Sequence, residues 1–137
     1  MSDLRSQAML DMRPEITTAS VSDEMNPREQ FQNKTLRPVI KLQHPLLLAV
    51  FRENLKRRKD TFFKLPEAMK PQYINDVFSG DMRFKQQIAG VIIGMFTMDE
   101  YRFYANNSSA VNKRIINIVQ KRVLDSLHEI TQEEPLV

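Results

Sequence analysis

Residues 108–131, "SSAVNKRIINIVQKRVLDSLHEIT", carry an apolar side chain at every third or fourth position. This spacing places a row of apolar side chains along one face of a helix. Basic and amide side chains such as Lys113, Arg114 and Asn117 then fall on the opposite face. The pattern predicts a C-terminal amphipathic helix that packs on a core. Its inner row is Val111, Ile115, Val119, Val123, Leu127 and Ile130.

A second helical pattern covers residues 27–59, where apolar side chains recur in steps that are mostly three, four or seven residues. The pattern stays in phase across Pro38 and Pro45, which predicts one long helix kinked at a proline rather than broken. Two helices that meet near His44 are the alternative.

The composition favours an all-α fold. Only three of the 137 residues are glycine, whereas sandwiches, barrels and Rossmann-type units need many tight turns. The length suits one domain, so we predict a single-domain bundle of about five or six helices. In this prediction residues 1–25 form a partly irregular N-terminal arm, residues 26–132 form the helical bundle, and residues 133–137 form a frayed tail.

Short polar residues mark three predicted helix starts. The stretch "NNSS", residues 106–109, could open a phosphate-binding helix or cap it, and its place between two amphipathic helices favours the cap. The predicted capping residues are Asn26 with Glu29, Thr97 with Glu100, and Asn107 or Ser108.

Few residues suit catalysis or metal binding. The chain has no cysteine, and its two histidines, His44 and His128, lie far apart in the sequence. Asp125 and His128 form a single Asp-x-x-His pair, whereas a di-metal site in a bundle needs inward carboxylates on four helices. No serine lies in a nucleophile motif, and no glycine-rich phosphate loop is present. We predict no catalytic residue, no cofactor, no metal and no enzymatic activity.

The same sequence offers no segment suited to a membrane. The longest apolar run, residues 88–96, is far shorter than a membrane-spanning helix needs. The N-terminal residues are charged and contain no apolar run of signal-peptide length, and the lack of cysteine suits a reducing compartment. We therefore expect a cytoplasmic protein that does not bind membranes.

Charge is distributed unevenly along the chain. Residues 1–26 hold two basic and five acidic side chains, whereas residues 27–64 hold ten basic and three acidic ones. A basic segment of this kind suits nucleic acid or an acidic partner. The candidate contact residues are Arg52, Lys56, Arg57, Arg58 and Lys59 at the end of the long helix, and Lys113 and Arg114 at the start of the last one.

The leading functional expectation is a non-enzymatic interaction module that binds another protein or a second copy of itself. Aromatic residues near the ends of helices either form an exposed contact patch or belong to the core. These residues are Phe62, Phe63, Phe103 and Tyr104. Nucleic-acid binding through the basic residues is the alternative function.

Two segments resemble a family of small uncharacterised bacterial proteins. They are "NPREQFQNKTLRPVIKLQ", residues 26–43, and "IIGMFTMDEYRFYANNSSAVNKRI", residues 92–115, and the resemblance spans residues 26–127. It implies a helical unit without an established activity. Some members carry the label "glyoxalase", but glyoxalase I enzymes use βαβββ modules and metal ligands on strands. This sequence offers neither, so we do not expect that activity.

Overall fold

The structure, a computed structural model, describes residues 3–16 and 24–132, and for Gln132 the backbone alone. The described residues form an all-α fold without a strand, which confirms the predicted class. They contain nine unbroken helical runs, more than the five or six expected. The predicted tail lies outside the described residues. The helices are α1 Leu4–Asp11, α2 27–42, α3 His44–Arg57, α4 Thr61–Lys64, α5 67–80, α6 Met82–Ile93, α7 Met98–Asn106, α8 Ser108–Asp125 and α9 Leu127–Gln132.

The prediction of one unbroken helix over residues 27–59 is wrong, because Gln43 separates α2 from α3 and α3 ends at Arg57. The backbone angles of Gln43, φ −86° and ψ 3°, interrupt the helix for one residue. Pro45 follows in the first turn of α3, where its missing N–H costs no helical hydrogen bond. The division lies one residue before His44, so it corresponds to the alternative of two meeting helices.

A π-helical turn, Gln32–Leu36, lies inside α2 between the α-helical segments Pro27–Phe31 and Arg37–Leu42. Phe31 and Leu36 are both buried although they are five positions apart. Hydrogen bonds in a π turn run between residues five positions apart, so the turn keeps both side chains on the core side.

Brief interruptions account for the larger number of helices. Ser126, with φ −102° and ψ 16°, separates α8 from α9 within the predicted helix 108–131. Lys59 and Asp60 adopt left-handed φ angles of 64° and 55° and turn the chain from α3 into the four-residue α4. The apolar spacing continues across Gln43 and Ser126, and therefore periodicity alone does not reveal these two breaks.

Two of the three predicted caps are present. Asn26 accepts a hydrogen bond from the backbone N–H of Glu29 at 2.9 Å, and its amide donates to the Glu29 carboxylate at 3.0 Å. Thr97 and Glu100 form the reciprocal capping box at the start of α7. These side chains satisfy backbone N–H groups that a helix start leaves without partners.

The predicted cap at the start of α8 is wrong. Asn107 occupies the cap position, but its side chain accepts no hydrogen bond from α8. Its Nδ2 instead donates to the carbonyl oxygen of Phe103 at 2.8 Å, which satisfies the end of α7. A ψ of 28° places Asn107 outside the extended range that capping residues usually adopt. Ser108 is the first residue of α8 and is exposed.

The helices bury their apolar faces around one core. Phe51 of α3 is fully buried, and the rings of Phe62, Phe78 and Phe84 surround it at centroid distances of 6.4, 6.2 and 5.8 Å. The predicted inner row of the C-terminal helix faces this core. Val111, Ile115, Val119, Val123 and Ile130 are buried, and Leu127 is partly buried.

The described part of the predicted N-terminal arm packs on the bundle through α1 and the residues after it. Arg5 donates to the carbonyl oxygens of Phe96 at 2.7 Å and Gly94 at 2.9 Å. The hydroxyl of Ser6 accepts from the backbone N–H of Met98 at 3.2 Å. These contacts satisfy backbone groups between the end of α6 and the start of α7.

A buried carboxylate joins three segments of the chain. Glu100 accepts from Arg13 Nη1 and Nη2 at 2.7 and 2.6 Å, from the Thr35 hydroxyl at 2.7 Å and from the Thr97 N–H at 2.8 Å. Burial raises the pKa of Glu100, but hydrogen bonds from Arg13, Thr97 and Thr35 and the charge of Arg13 outweigh it, so the pKa lies below its usual value.

Candidate functional site

The outer side of α8 carries a row of polar and basic side chains. Lys113, Arg114, Asn117 and Lys121 are all exposed. Their spacing puts them on one helix face, opposite the buried inner row. The first and the last are eight positions apart, a distance of about 12 Å along the helix axis.

One groove lies between α8 and α6 and has a volume of about 490 Å³. Lys85 from α6 and Lys113 from α8 supply its basic groups, and Phe78, Met82 and Ile116 supply apolar wall. Amide side chains complete the lining, namely Gln86, Asn112, Asn117 and Gln120. Two of these amides are held in place, because the Tyr104 hydroxyl donates to Asn112 and Gln120 donates to Asn75, both at 2.8 Å.

Two further grooves lie on the α2 side of α8. The larger, about 570 Å³, contains Arg37 from α2 together with Arg114, Lys121 and Arg122 from α8. The smaller, about 240 Å³, contains Arg28 together with Lys113 and Arg114. Because Arg114 and Asn117 line both, the two grooves adjoin along α8.

We name the surface formed by α8 and its flanking grooves the cationic face. Its basic residues come from three helices that are separated in the sequence. They are Arg28 and Arg37 of α2, Lys85 of α6, and Lys113, Arg114, Lys121 and Arg122 of α8.

Two acidic side chains, Asp125 and Glu129, also line the larger groove, near the C-terminal end of α8. Asp125 pairs with Lys121 at 3.1 Å, and Glu129 contacts His44 Nε2 at 3.1 Å. Arg122 Nη1 lies 3.2 Å from His44 Nδ1. A guanidinium can only donate, so these partners assign Nδ1 as the acceptor and place the ring proton on Nε2, facing Glu129.

Arg122 is partly buried and lies near a second arginine. Burial lowers the pKa of Arg122, and the charge of Arg37 lowers it further, while the charges of Glu129 and Asp125 raise it. The net result is a pKa below the usual arginine value, because desolvation and a like charge both disfavour the charged form.

The predicted basic cluster at residues 52–59 lies apart from the three grooves, since none of its members lines them. Arg52 donates to the carbonyl oxygen of Glu129 at 3.0 Å, and Arg58 pairs with Asp81 at 2.8 Å. Both arginines therefore join helices to one another. Lys56, Arg57 and Lys59 are exposed.

Lys113 and Arg114 belong to the cationic face, where each lines two of the grooves, together with five basic residues that the sequence did not single out as contacts. The outward position of Lys121 on α8 was readable from the helical period. Arg28, Arg37 and Lys85 lie on other helices, and no local pattern indicates which helices flank α8.

The aromatic residues considered as an exposed patch belong mainly to the core. Phe62 is fully buried, and Phe103 and Tyr104 pack against the core cluster. Phe103 also stacks on Phe31 with ring centroids 4.6 Å apart. Phe63, 39% exposed, is the most accessible of the four.

Within residues 3–16 and 24–132, no three histidine or acidic side chains converge as metal ligands. None of the helices in these ranges has the length and apolar character to cross a membrane. No protein-family model matches the chain, and no curated protein or solved structure is significantly similar to it. The resemblance to uncharacterised bacterial helical proteins therefore stays a prediction.

Proposed function

We propose that this protein is a cytoplasmic, non-enzymatic helical module that binds nucleic acid through the cationic face. The observation that carries the proposal is the convergence of basic side chains from α2, α6 and α8 along one exposed helix. Lysine and arginine side chains in such an arrangement neutralise phosphates and release the counterions bound to them.

The side chains between the cations also suit a phosphate backbone. Asn117 is exposed within the basic row, and Gln86 and Asn112 line the adjacent groove. Amide side chains contribute many of the hydrogen bonds that proteins make to phosphates and sugars. They would orient a strand that the lysines and arginines attract.

An acidic protein partner fits this surface less well. The cores of protein interfaces are depleted in charged residues, above all in lysine, and are anchored by buried aromatic residues and arginines. The cationic face instead presents several lysines, and its most exposed large apolar side chain is Met82. Self-association through Phe62, Phe63, Phe103 and Tyr104, part of the leading expectation from sequence, has little support because Phe63 alone among them is exposed and the other three rings pack in or against the core.

We expect the double variant Arg114→Gln/Lys121→Gln to bind duplex and single-stranded oligonucleotides more weakly, to a similar degree for all sequences. The logarithm of the affinity should fall linearly with the logarithm of the salt concentration between about 50 mM and 200 mM. This slope is negative, and its magnitude should fall by about two, one for each phosphate that the variant no longer neutralises. Fluorescence anisotropy of labelled oligonucleotides measures both quantities.

The matched control is Lys56→Gln/Arg57→Gln, which removes two exposed charges outside the three grooves. This variant should retain the binding and the salt dependence of the unchanged protein. The proposal fails if the unchanged protein does not bind oligonucleotides at low salt, or if the two double variants lose affinity equally.

Asp125→Asn is expected to have the opposite effect, a gain in oligonucleotide affinity. It removes an exposed negative charge and releases Lys121 from its ion pair at 3.1 Å. Oligonucleotide affinity should rise by about two- to threefold at low salt, because an exposed pair of this kind contributes well under 1 kcal/mol. Asp99→Asn is the control, since Asp99 is likewise exposed and paired but does not line the grooves. Equal gains from both variants would point to net charge rather than to this surface.

A further inference from the structure

Three arginines, Arg37, Arg114 and Arg122, line the larger groove beside α8. Among the described residues, Arg37, Arg114 and Arg122 form no ion pair with a carboxylate. The two acids of the same groove contact other residues of its lining, Asp125 the Lys121 ammonium and Glu129 the His44 ring. Folding therefore places four arginine and lysine side chains in this groove against two carboxylates, which leaves it with a net positive charge.

Two of these arginines are held in place by neutral partners. Arg37 Nε donates to the side-chain oxygen of Asn33 at 3.2 Å, and Arg122 donates to His44 Nδ1 at 3.2 Å. Neither contact removes a positive charge from the groove. Because these guanidinium groups are already oriented, binding a ligand costs less side-chain conformational entropy than it would if the arginines first had to be ordered.

We infer that the groove between Arg37, Arg114 and Arg122 is a binding site for a phosphate group. The inference rests on the proposed function: if the protein binds nucleic acid, the phosphate group is one phosphate of the bound strand. A free phosphate or a phosphate monoester has the same chemistry and is the other source that the experiment distinguishes.

The number of guanidinium groups favours phosphate over carboxylate. A carboxylate is satisfied by the paired N–H groups of one arginine. A phosphate presents tetrahedrally arranged acceptor oxygens, so it can engage several arginines from different directions; it carries one negative charge in the phosphodiester of a strand and close to two as a monoester. The volume of about 570 Å³ leaves room for the group that carries the phosphate.

The test uses the full chain with inorganic phosphate as the probe. Phosphate is titrated at constant ionic strength against chloride, with acetate as a carboxylate comparison, and amide NMR shifts follow the α2 and α8 residues. We expect saturable shifts with phosphate, and weaker or no saturation with acetate or chloride. Arg37→Gln and Arg122→Gln should each weaken phosphate binding by about tenfold, and Lys56→Gln should leave it unchanged.

Competition with an oligonucleotide identifies the source. If phosphate displaces the oligonucleotide, the groove holds a phosphate of the strand. If the shifts saturate with phosphate but oligonucleotides do not bind, the site holds a free phosphate or a phosphate monoester, and the proposed function is wrong. If phosphate shows no saturable effect beyond chloride, the inference is overturned even where oligonucleotides bind. Should Arg122→Gln fail to fold, Arg114→Gln replaces it, because the Arg114 side chain is exposed.

Discussion

Phe51→Ala is expected to lower the free energy of unfolding by about 4 kcal/mol. Phe51 is fully buried, and the rings of Phe62, Phe78 and Phe84 lie around it. Removing its ring loses the transfer free energy of the buried atoms and leaves a cavity. Four helices, α3 to α6, supply these four rings, so the rings cannot close the space without moving the backbone of several elements.

Urea denaturation followed by far-ultraviolet circular dichroism measures this change. Phe63→Ala is the control, because Phe63 stacks on Phe62 with centroids 5.4 Å apart but is 39% exposed. Its loss should cost clearly less than the loss of Phe51. A decrease below about 1 kcal/mol for Phe51→Ala would contradict the packing of these four rings.

The second large effect is expected from Arg13→Ala, which should cost about 3 kcal/mol of unfolding free energy. The side chains of Arg13 and Glu100 are 7% and 14% exposed and lie 2.6 Å apart. Removing Arg13 leaves the Glu100 carboxylate largely buried without its charged partner. Arg13 also donates to the carbonyl oxygen of Met95 at 3.0 Å, and the variant cannot make this hydrogen bond either.

The same carboxylate predicts acid sensitivity. The pKa of Glu100 is lower in the folded protein than its usual value of 4.5, so its stabilising effect is present above about pH 4.5. That effect should be lost as the pH falls through the folded pKa, because the unfolded chain then binds the proton more readily. Glu100→Gln should flatten the stability profile in this acidic range.

Denaturation at several pH values tests both parts of this prediction. Arg102→Gln is the control, since Arg102 pairs with Asp99 on the same helix with exposures of 66% and 93%. It should change stability little, as exposed pairs do. An Arg13→Ala variant that resembles this control would refute the role given to the buried pair.

The sequence was a good guide to the fold class because side-chain period reports directly on helix faces. The row from Val111 to Ile130 was readable for this reason, and it lies on the core side. The break at Gln43 was not assigned correctly, since a one-residue interruption preserves the apolar phase. The cap at Asn107 was missed because its amide could serve either neighbouring helix, and only the backbone angles decide between them.

The candidate site was less accessible to sequence reasoning. Lys113 and Arg114 were identified because they stand on the outer side of one helix. Arg37 and Lys85 join them only through the packing of α2 and α6 beside α8. The basic run at residues 52–59 looked stronger in the sequence, yet Arg58 contacts Asp81, whose position depends on how α3 and α6 pack.

The π turn of α2 determines the directions in which the arginines on either side of it point. Arg28 and Arg37 are nine positions apart, and nine steps of about 100° would set them half a turn apart on a regular α-helix. Both nevertheless line grooves against α8, one on each side of the turn at Gln32–Leu36. The turn thus changes the angle about the helix axis between Arg28 and Arg37, so that both can face α8. If the same residues formed a regular α-helix through this stretch, Arg28 and Arg37 would lie on opposite faces of α2, and only one of them would line a groove against α8.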